Sequence, residues 1–372
     1  MSPSIPLKII YCFFCVWGIL FSELEIKYAQ KFTLNKLNDH TWELTINGPY
    51  KGSQEIIKTK IIKKGLGHPI QQNSDQVIFY PIQSLISLST VNLPHIVSLD
   101  EADSLIGVDS FQYINTREII QKIEKQEVIA VGEFQNLNIE RVLELSPDVV
   151  LTYTTGQAKY DTHHRLRKAG VPTLILASYL ESSPLGRAEW IKLIGLLYDK
   201  VEQANRIFEE IESRYLKLCE LTKGIKNKPT VFCNAPFGDT WYMPGGKSYS
   251  AQLMADAGAD YLWRDNPEVG SVPLDFEKVF EKAHKADYWL VSSHLPWRQY
   301  EDVSGSDPRY KHFYAFQKKN MISNDKRVNP KGGNDIYEAG TLNPDLILKD
   351  YISIFHPELL KNTKLYFHRP LQ

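Results

Sequence analysis

The chain has little cysteine, no surplus of either charge and no apolar run long enough to cross a bilayer. Four cysteines in 372 residues, two of them in the first fifteen, exclude a disulfide-stapled scaffold. Cys219 and Cys233 remain as either a bridged pair or two buried thiols, and their spacing leaves both open. A formal net charge of −1 supplies no basic field to follow a phosphate backbone, so nucleic acid is not expected as a partner. There is no HExxH pair for zinc, no GxSxG nucleophile turn, and no phosphate-loop spacing around Gly245 and Gly246, which read as a turn, as do Gly332 and Gly333. His163 and His164 are adjacent, so on a helix they point about 100 degrees apart and cannot share one ion. No intrinsic metal site or cofactor is expected.

What is present fits a globular protein of two domains: 43% hydrophobic residues and 12% aromatics can fill two cores. Lys8 precedes the uncharged run Ile9 to Ser22, and Glu23, Glu25 and Lys27 follow at once. That run is shorter than the roughly 20 residues of a spanning helix and reads as a cleavable export signal, taken as residues 1–29, with a cut after Ala29 or near Ser22. Cys12 and Cys15 follow Ile10-Tyr11 and Phe13-Phe14 rather than a small-residue box, which favours a soluble periplasmic product over a lipid-anchored one.

Residues 30–78 carry a strand-like alternation over Thr41 to Ile46 and form an N-terminal extension packed on the first lobe. From Val77 short β-branched runs alternate with helical patterns, the mark of an α/β sheet. Ile82–Leu88, Val128–Val131, Val149–Thr152 and Thr173–Ala177 read as strands. Pro94–Leu105, Asn138–Leu145 and Thr162–Ala169 read as helices, and the lobe spans 79–182. Trp190, Ile194, Leu197, Val201, Ala204, Phe208, Ile211, Tyr215 and Leu218 recur at three and four, predicting one long helix over 183–223. At about 1.5 Å per residue it is long enough to join two lobes. The alternation restarts over 224–372: Thr230–Asn234 and Tyr288–Ser292 as strands, Ser250–Ala257, Leu274–Ala283 and Asn343–Phe355 as helices.

Val131-Gly132-Glu133-Phe134-Gln135-Asn136-Leu137-Asn138-Ile139-Glu140-Arg141-Val142, continuing to Ser146-Pro147-Asp148-Val149-Val150, resembles a recurring segment of the binding proteins that serve the iron-siderophore and vitamin B12 ABC importers. Ser87-Leu88-Ser89-Thr90, Ala257-Gly258-Ala259, Leu274-Asp275-Phe276-Glu277 and His356-Pro357-Glu358 are similar to others, in order, over about residues 80–360. The resemblance implies two Rossmann-like α/β lobes joined by one rigid helix, with the solute in the cleft between them. It implies a monomer that receives a small metal chelate or corrinoid, with iron present only inside the chelate. Its partner would be an ABC transporter permease, met by one acid on each lobe: Glu277 on the second and Asp161 on the first.

Ligands in open α/β sheets meet the loops at the carboxyl ends of the strands. That rule selects Ser89, Thr90, Tyr113, Arg117, Phe134, Gln135, Tyr153 and Thr154 in the first lobe, and Asn234, Trp241, Tyr242, Ser293, His294 and Trp297 in the second. Aromatic rings suit a large flat chelate, and Arg117 or Arg298 suits an anionic one. A ferric siderophore is the leading cargo, with a cobalamin or other corrinoid and haem as alternatives. The rival from another class is an exported α/β hydrolase, for which only Ser292, Ser293 and His294 lie together, without a third group.

Overall fold

The computed structural model describes residues 24–65, 76–292 and 295–372. The N-terminal extension is a four-stranded sheet. Strands β1 (Phe32–Asn38), β2 (Thr41–Asn47) and β3 (Ile56–Lys63) are antiparallel neighbours, and β4 (Gln76–Tyr80) runs parallel to β3. Alternation over Thr41 to Ile46 puts Leu44 and Ile46 on the buried face. The sheet is fastened to the first lobe by the Lys64–Asp148 ion pair, and to the segment that follows the lobe by the Lys63–Asp199 ion pair and by Phe32 against Trp190, 4.5 Å between ring centres.

The first lobe holds five parallel strands in the order β7-β6-β5-β8-β9: β5 (Leu85–Ser87), β6 (Leu105–Val108), β7 (Ile129–Ala130), β8 (Val149–Thr152) and β9 (Thr173–Ile175). Every residue of β8 is buried, with Val149 and Leu151 in the main core and Val150 in a second cluster with Ile86, Val142 and Leu166. The sheet is therefore covered on both faces, as a parallel sheet requires. The expected helix Pro94–Leu105 is shorter, Leu93–Ser98, and the rest is a turn and a single 3-10 turn, Ala102–Ser104, leading into β6 at Leu105.

The second lobe repeats the plan in the order β13-β10-β15-β16-β17. Its strands are β10 (Thr230–Cys233), β13 (Asp260–Tyr261), β15 (Tyr288–Val291), β16 (Met321–Ser323) and the antiparallel edge β17 (Arg369–Pro370). A small antiparallel sheet of β11 (Pro236–Phe237), β12 (Thr240–Pro244) and β14 (Ser271–Leu274) stands beside it.

Residues 183–223 are not one helix. They form Pro184–Ala188, Ile191–Leu197 and Val201–Thr222, and only the last is long. The break is at Tyr198 to Lys200, where Asp199 takes φ 59°. A side chain on Gly195 would run into Ala204, so glycine is what lets the last two helices fold back on each other. The helix Val201–Thr222 packs on Ile191–Leu197 and on Pro344–Phe355 of the second lobe, and its Gln203 amide donates to Asp100 of the first at 2.9 Å, so it still touches both lobes.

Residues 24–31 belong to the packed structure. The buried carboxylate of Glu189 accepts the N–H groups of Lys27, Tyr28 and Ala29 at 2.8, 2.6 and 2.9 Å, and Glu181 accepts those of Gln30 and Lys31. The boundary expected at residue 29 therefore cuts through structure. Of the two positions expected for a signal cut, the one near Ser22 would spare these contacts. No helix among the described residues is long and apolar enough to cross a membrane.

Candidate ligand-binding cleft

In the first lobe the chain goes from β5 to β6 on one side and to β8 on the other. In the second it goes from β10 to β13 on one side and to β15 on the other. Each lobe thus has a switch point where loops part at the carboxyl ends of two strands. The two switch points face a common cavity of about 350 Å³, within the range of small-molecule sites. Val91, Ser178, Tyr179 and Arg187 line it from the first lobe and its following helix, and Asn234, Tyr249, Ser292, Asn324 and Tyr337 from the second. Leu253, Leu290, Ile322 and Ile347 supply an apolar floor.

Arg187 is the cation of this cavity. Its guanidinium lies over the Tyr249 ring, 3.9 Å from the centroid, and donates to the Tyr179 and Glu181 carbonyls at 3.0 and 3.3 Å. Two of its five N–H groups are engaged in this way, and the fork is held in orientation. Burial presses its pKa below the ordinary value, and burial pushes the Tyr249 hydroxyl up to about 12 although the Arg187 charge pulls it back. Opposite, the Tyr337 hydroxyl lies 3.2 Å from the Ser292 hydroxyl and accepts from Asn324 at 3.3 Å. A half-buried cation facing hydroxyl and amide groups suits an anionic, oxygen-rich ligand.

Several predicted residues do reach the site. Asn234, in the left-handed region at φ 65°, lines the cavity, with its amide donating to the Tyr242 carbonyl at 2.7 Å. Ser89 and Tyr153 line an adjoining recess of about 190 Å³ that shares Val91, Ser178 and Tyr179 with the cavity. Phe134 and Tyr153 line a smaller recess with Asp109 and Glu133. Thr90 opens the turn that carries Val91, Gln135 is exposed, and Thr154 accepts the Tyr179 hydroxyl on its carbonyl. Ser293 and His294 lie outside the described residues.

Others are corrected. Trp241 has no exposed surface: it donates to the Cys233 carbonyl at 2.8 Å and stacks among Phe232, Trp289 and Phe313. Neighbours on a strand point to opposite faces, so on β12 Trp241 goes inward and Tyr242 outward. Trp297 is buried against Trp289 and Tyr310. Arg298 is tied to the buried Asp325. Tyr113 and Arg117 flank a second contact between the lobes, where Glu338, 1% exposed, accepts the N–H groups of Asn115 and Thr116 at 2.7 and 2.8 Å. Burial raises the Glu338 pKa against these donors. Cys219 and Cys233 are both free, and burial pushes both thiols up.

Asp161 is turned inward, a poor position for meeting a partner protein. It is buried and accepts from the Thr154 hydroxyl at 2.6 Å and the Thr155 N–H at 2.7 Å, bonds that outweigh burial and hold its pKa down. The residue placed like Glu277 is Glu140. Asn138 caps Ile139–Leu145 and Asp275 caps Phe276–Ala283, each accepting from an N–H three residues on, and each cap is followed two residues later by an exposed glutamate. Each helix then leads to the strand beside its lobe's first, β8 or β15. The parallel between Asn138-Ile139-Glu140 and Asp275-Phe276-Glu277 was available in the sequence.

The fold and cleft define a bilobal binding protein, and the sequence comparison agrees: residues 85–328 match the periplasmic binding protein family, and the chain belongs to it. That family is one of solute-binding proteins rather than enzymes. Among its relatives, an uncharacterized lipoprotein of Methanocaldococcus jannaschii is 26% identical, with 92% of this chain and 84% of that protein covered. A possible iron-binding periplasmic solute-binding protein of Staphylococcus epidermidis has the same fold, with a TM-score of 0.59, 16% identity, and coverage of 74% of this chain and 99% of that one. The periplasmic haem-binding protein HutB of Vibrio cholerae has a TM-score of 0.54 and 18% identity, with coverage of 72% and 98%.

Proposed function

We propose that the protein is the solute receptor of an ABC importer, capturing a ferric siderophore or related iron complex outside the cytoplasm and delivering it to a permease. The observation that carries this reading is Arg187, stacked on Tyr249 and lining an interlobe cavity whose other polar groups are hydroxyls, amides and the His368 imidazole. In this reading the iron arrives inside its chelate, with its own ligands. The iron-binding description of the Staphylococcus epidermidis protein supports the same cargo. Haem is the second reading, favoured by the apolar floor and by the haem-binding neighbour. The protein acts as a monomer, and Glu140 and Glu277 meet the permease.

The test is calorimetric titration of the chain from Leu24 onward with ferric catecholate, ferric hydroxamate, ferric citrate, cobalamin and haem. One-to-one binding of one class is expected. Arg187→Met is expected to weaken an anionic complex by about tenfold or more, the loss of a charge-assisted contact, while the chain keeps a cooperative thermal transition. Binding that Arg187→Met leaves intact would sink the assignment of the cavity, and no binding of any member would remove the cargo class.

A further inference from the structure

The cavity does not end at Arg187. It widens into a basin of about 980 Å³ that shares Tyr179, Arg187, Asn234, Tyr249 and Ser292 with it, so the two form one cleft. One wall of the basin comes from neither lobe. It is the loop between β2 and β3, residues 50–54, carried by the N-terminal sheet.

The loop is a closed structure: the Gly48 N–H donates to the Glu55 carbonyl at 2.9 Å and the Ser53 N–H to the Tyr50 carbonyl at 3.0 Å. It touches both lobes. The Tyr50 ring fills the space above Gly156 in the loop after β8, where an added Cβ would stand 2.5 Å from ring carbons and the backbone, at φ 76°, already favours glycine. On the other side the Lys51 ammonium lies over Gly270 of the second lobe, 2.8 Å from where a Cβ would be. Gly270 belongs to a segment bonded to the Gly245 turn, through Gly245 N–H to the Gly270 carbonyl at 2.8 Å and Lys247 N–H to the Glu268 carbonyl at 3.0 Å.

The basin is asymmetric in chemistry. Lys31, Lys51 and Arg187 stand on the side of the extension and first lobe, while the second lobe offers Phe237, Tyr242 and Val269, exposed by 75, 45 and 51%. Two acids belong to the basin. Glu181 is turned inward onto the Gln30 and Lys31 N–H groups and the Trp190 indole, and Glu268 stands exposed on the rim. Exposed apolar side chains facing a cationic wall fit a ligand with an apolar or aromatic periphery and a negative centre.

We propose that the β2–β3 loop is a specificity-determining wall of the ligand cleft: Tyr50 docks it on Gly156, and Lys51, reaching the second lobe, selects anionic ligands over cationic ones. The statement rests on the cleft being the ligand site, and the experiment separates the two. In the first arm, hydrogen exchange of the ligand-free chain is compared between wild type and Tyr50→Ala. Peptides covering 154–157 and 267–271 are expected to exchange several-fold faster in the variant while the strands of both lobes do not change. Equal exchange in both proteins overturns the bridging wall, whatever the cargo. In the second arm, wild type and Lys51→Glu, an exposed substitution, are titrated with a trianionic ferric tris-catecholate and with the cationic ferrioxamine B. Reversing one charge near a trianion in screened solvent is expected to weaken it roughly tenfold while leaving the cation unchanged or tighter. Equal changes for both probes overturn the selecting role of Lys51. If wild type binds neither probe, the selecting role falls with the cargo reading, and the exchange arm still decides the wall.

Discussion

Removing the Glu189 carboxylate tests whether residues 24–31 are part of the fold. Glu189 is wholly buried and its Oε1 lies 2.8 Å from the Lys192 ammonium, which also donates to the Glu25 carbonyl at 2.6 Å and sits 4.5 Å from the Phe208 ring centre. Glu189→Ala leaves a buried ammonium without its counter-charge, a change that costs about 3–5 kcal/mol. It also leaves three N–H groups without an acceptor, at about 1–3 kcal/mol each if they stay buried. They need not stay: the segment can peel into water, so the loss is capped near the ion-pair figure and shows as detachment. Urea unfolding at pH 7 should therefore report a loss of about 3–5 kcal/mol, and hydrogen exchange should show the amides of Lys27, Tyr28 and Ala29 unprotected. Lys192→Met keeps the acceptor for those amides and should cost less, and the double variant should cost less than the sum. A loss below about 1 kcal/mol with the amides still protected would refute the reasoning, since removing one partner of a buried ion pair strands the other charge at a cost of about 3–5 kcal/mol.

Charge reversal should separate docking from binding: Glu140→Lys and Glu277→Lys are each expected to reduce cellular uptake by about tenfold with solute affinity unchanged, because exposed interface charges act on the encounter with the partner. Unchanged uptake in either variant removes that residue from the docking pair. Acid should destabilise the fold through two histidines. Burial holds His95 at about 4, and burial with the His164 and Arg167 charges holds His163 at about 4, whereas both titrate near 6.5 when unfolded. A depressed histidine favours the fold fully above pH 6.5 and loses that contribution as pH falls toward 4, at about 1.4 kcal/mol per pH unit for each. Asp109, pushed up to about 6 by burial and by Glu133, acts in the opposite direction between about 4 and 6. The difference between wild type and His95→Asn isolates one histidine: the stability curve of the variant should be flatter between pH 6.5 and 4, and parallel curves would refute the attribution.

Strands buried on both faces were legible in the sequence. Val149–Thr152 was read at its observed bounds because Pro147-Asp148 marks the start of an unbroken apolar run. Leu105–Val108 was not, since Gly107 interrupts the run and the polar Asp103-Ser104 precedes it. The break in the long helix was hidden because the periodicity of three and four continues through it. Neither glycine nor proline marks the corner at Asp199, and the glycine that permits it is four residues earlier. Trp241 and Tyr242 could not both face the cleft on one strand, a contradiction visible in the pattern alone. Arg187 had no such signal: it sits in a five-residue helix, and what makes it a site residue is Tyr249, 62 positions away, beneath its guanidinium.

The contact at Glu338 has a consequence for release if the cleft is the solute site. Two backbone N–H groups and the Thr116 hydroxyl of one lobe converge on a single carboxylate of the other, and the Asn329 amide adds bonds to the Gln112 and Ile114 carbonyls at 3.0 Å. Lobes fastened in this way present a site that is formed before the solute arrives, so capture is not delayed by a closing step and differences between cargoes appear in how long each stays. Long residence is useful to a carrier only if something else ends it. In the proposed role, the work of parting the lobes would then fall to the importer and not to thermal opening of the receptor.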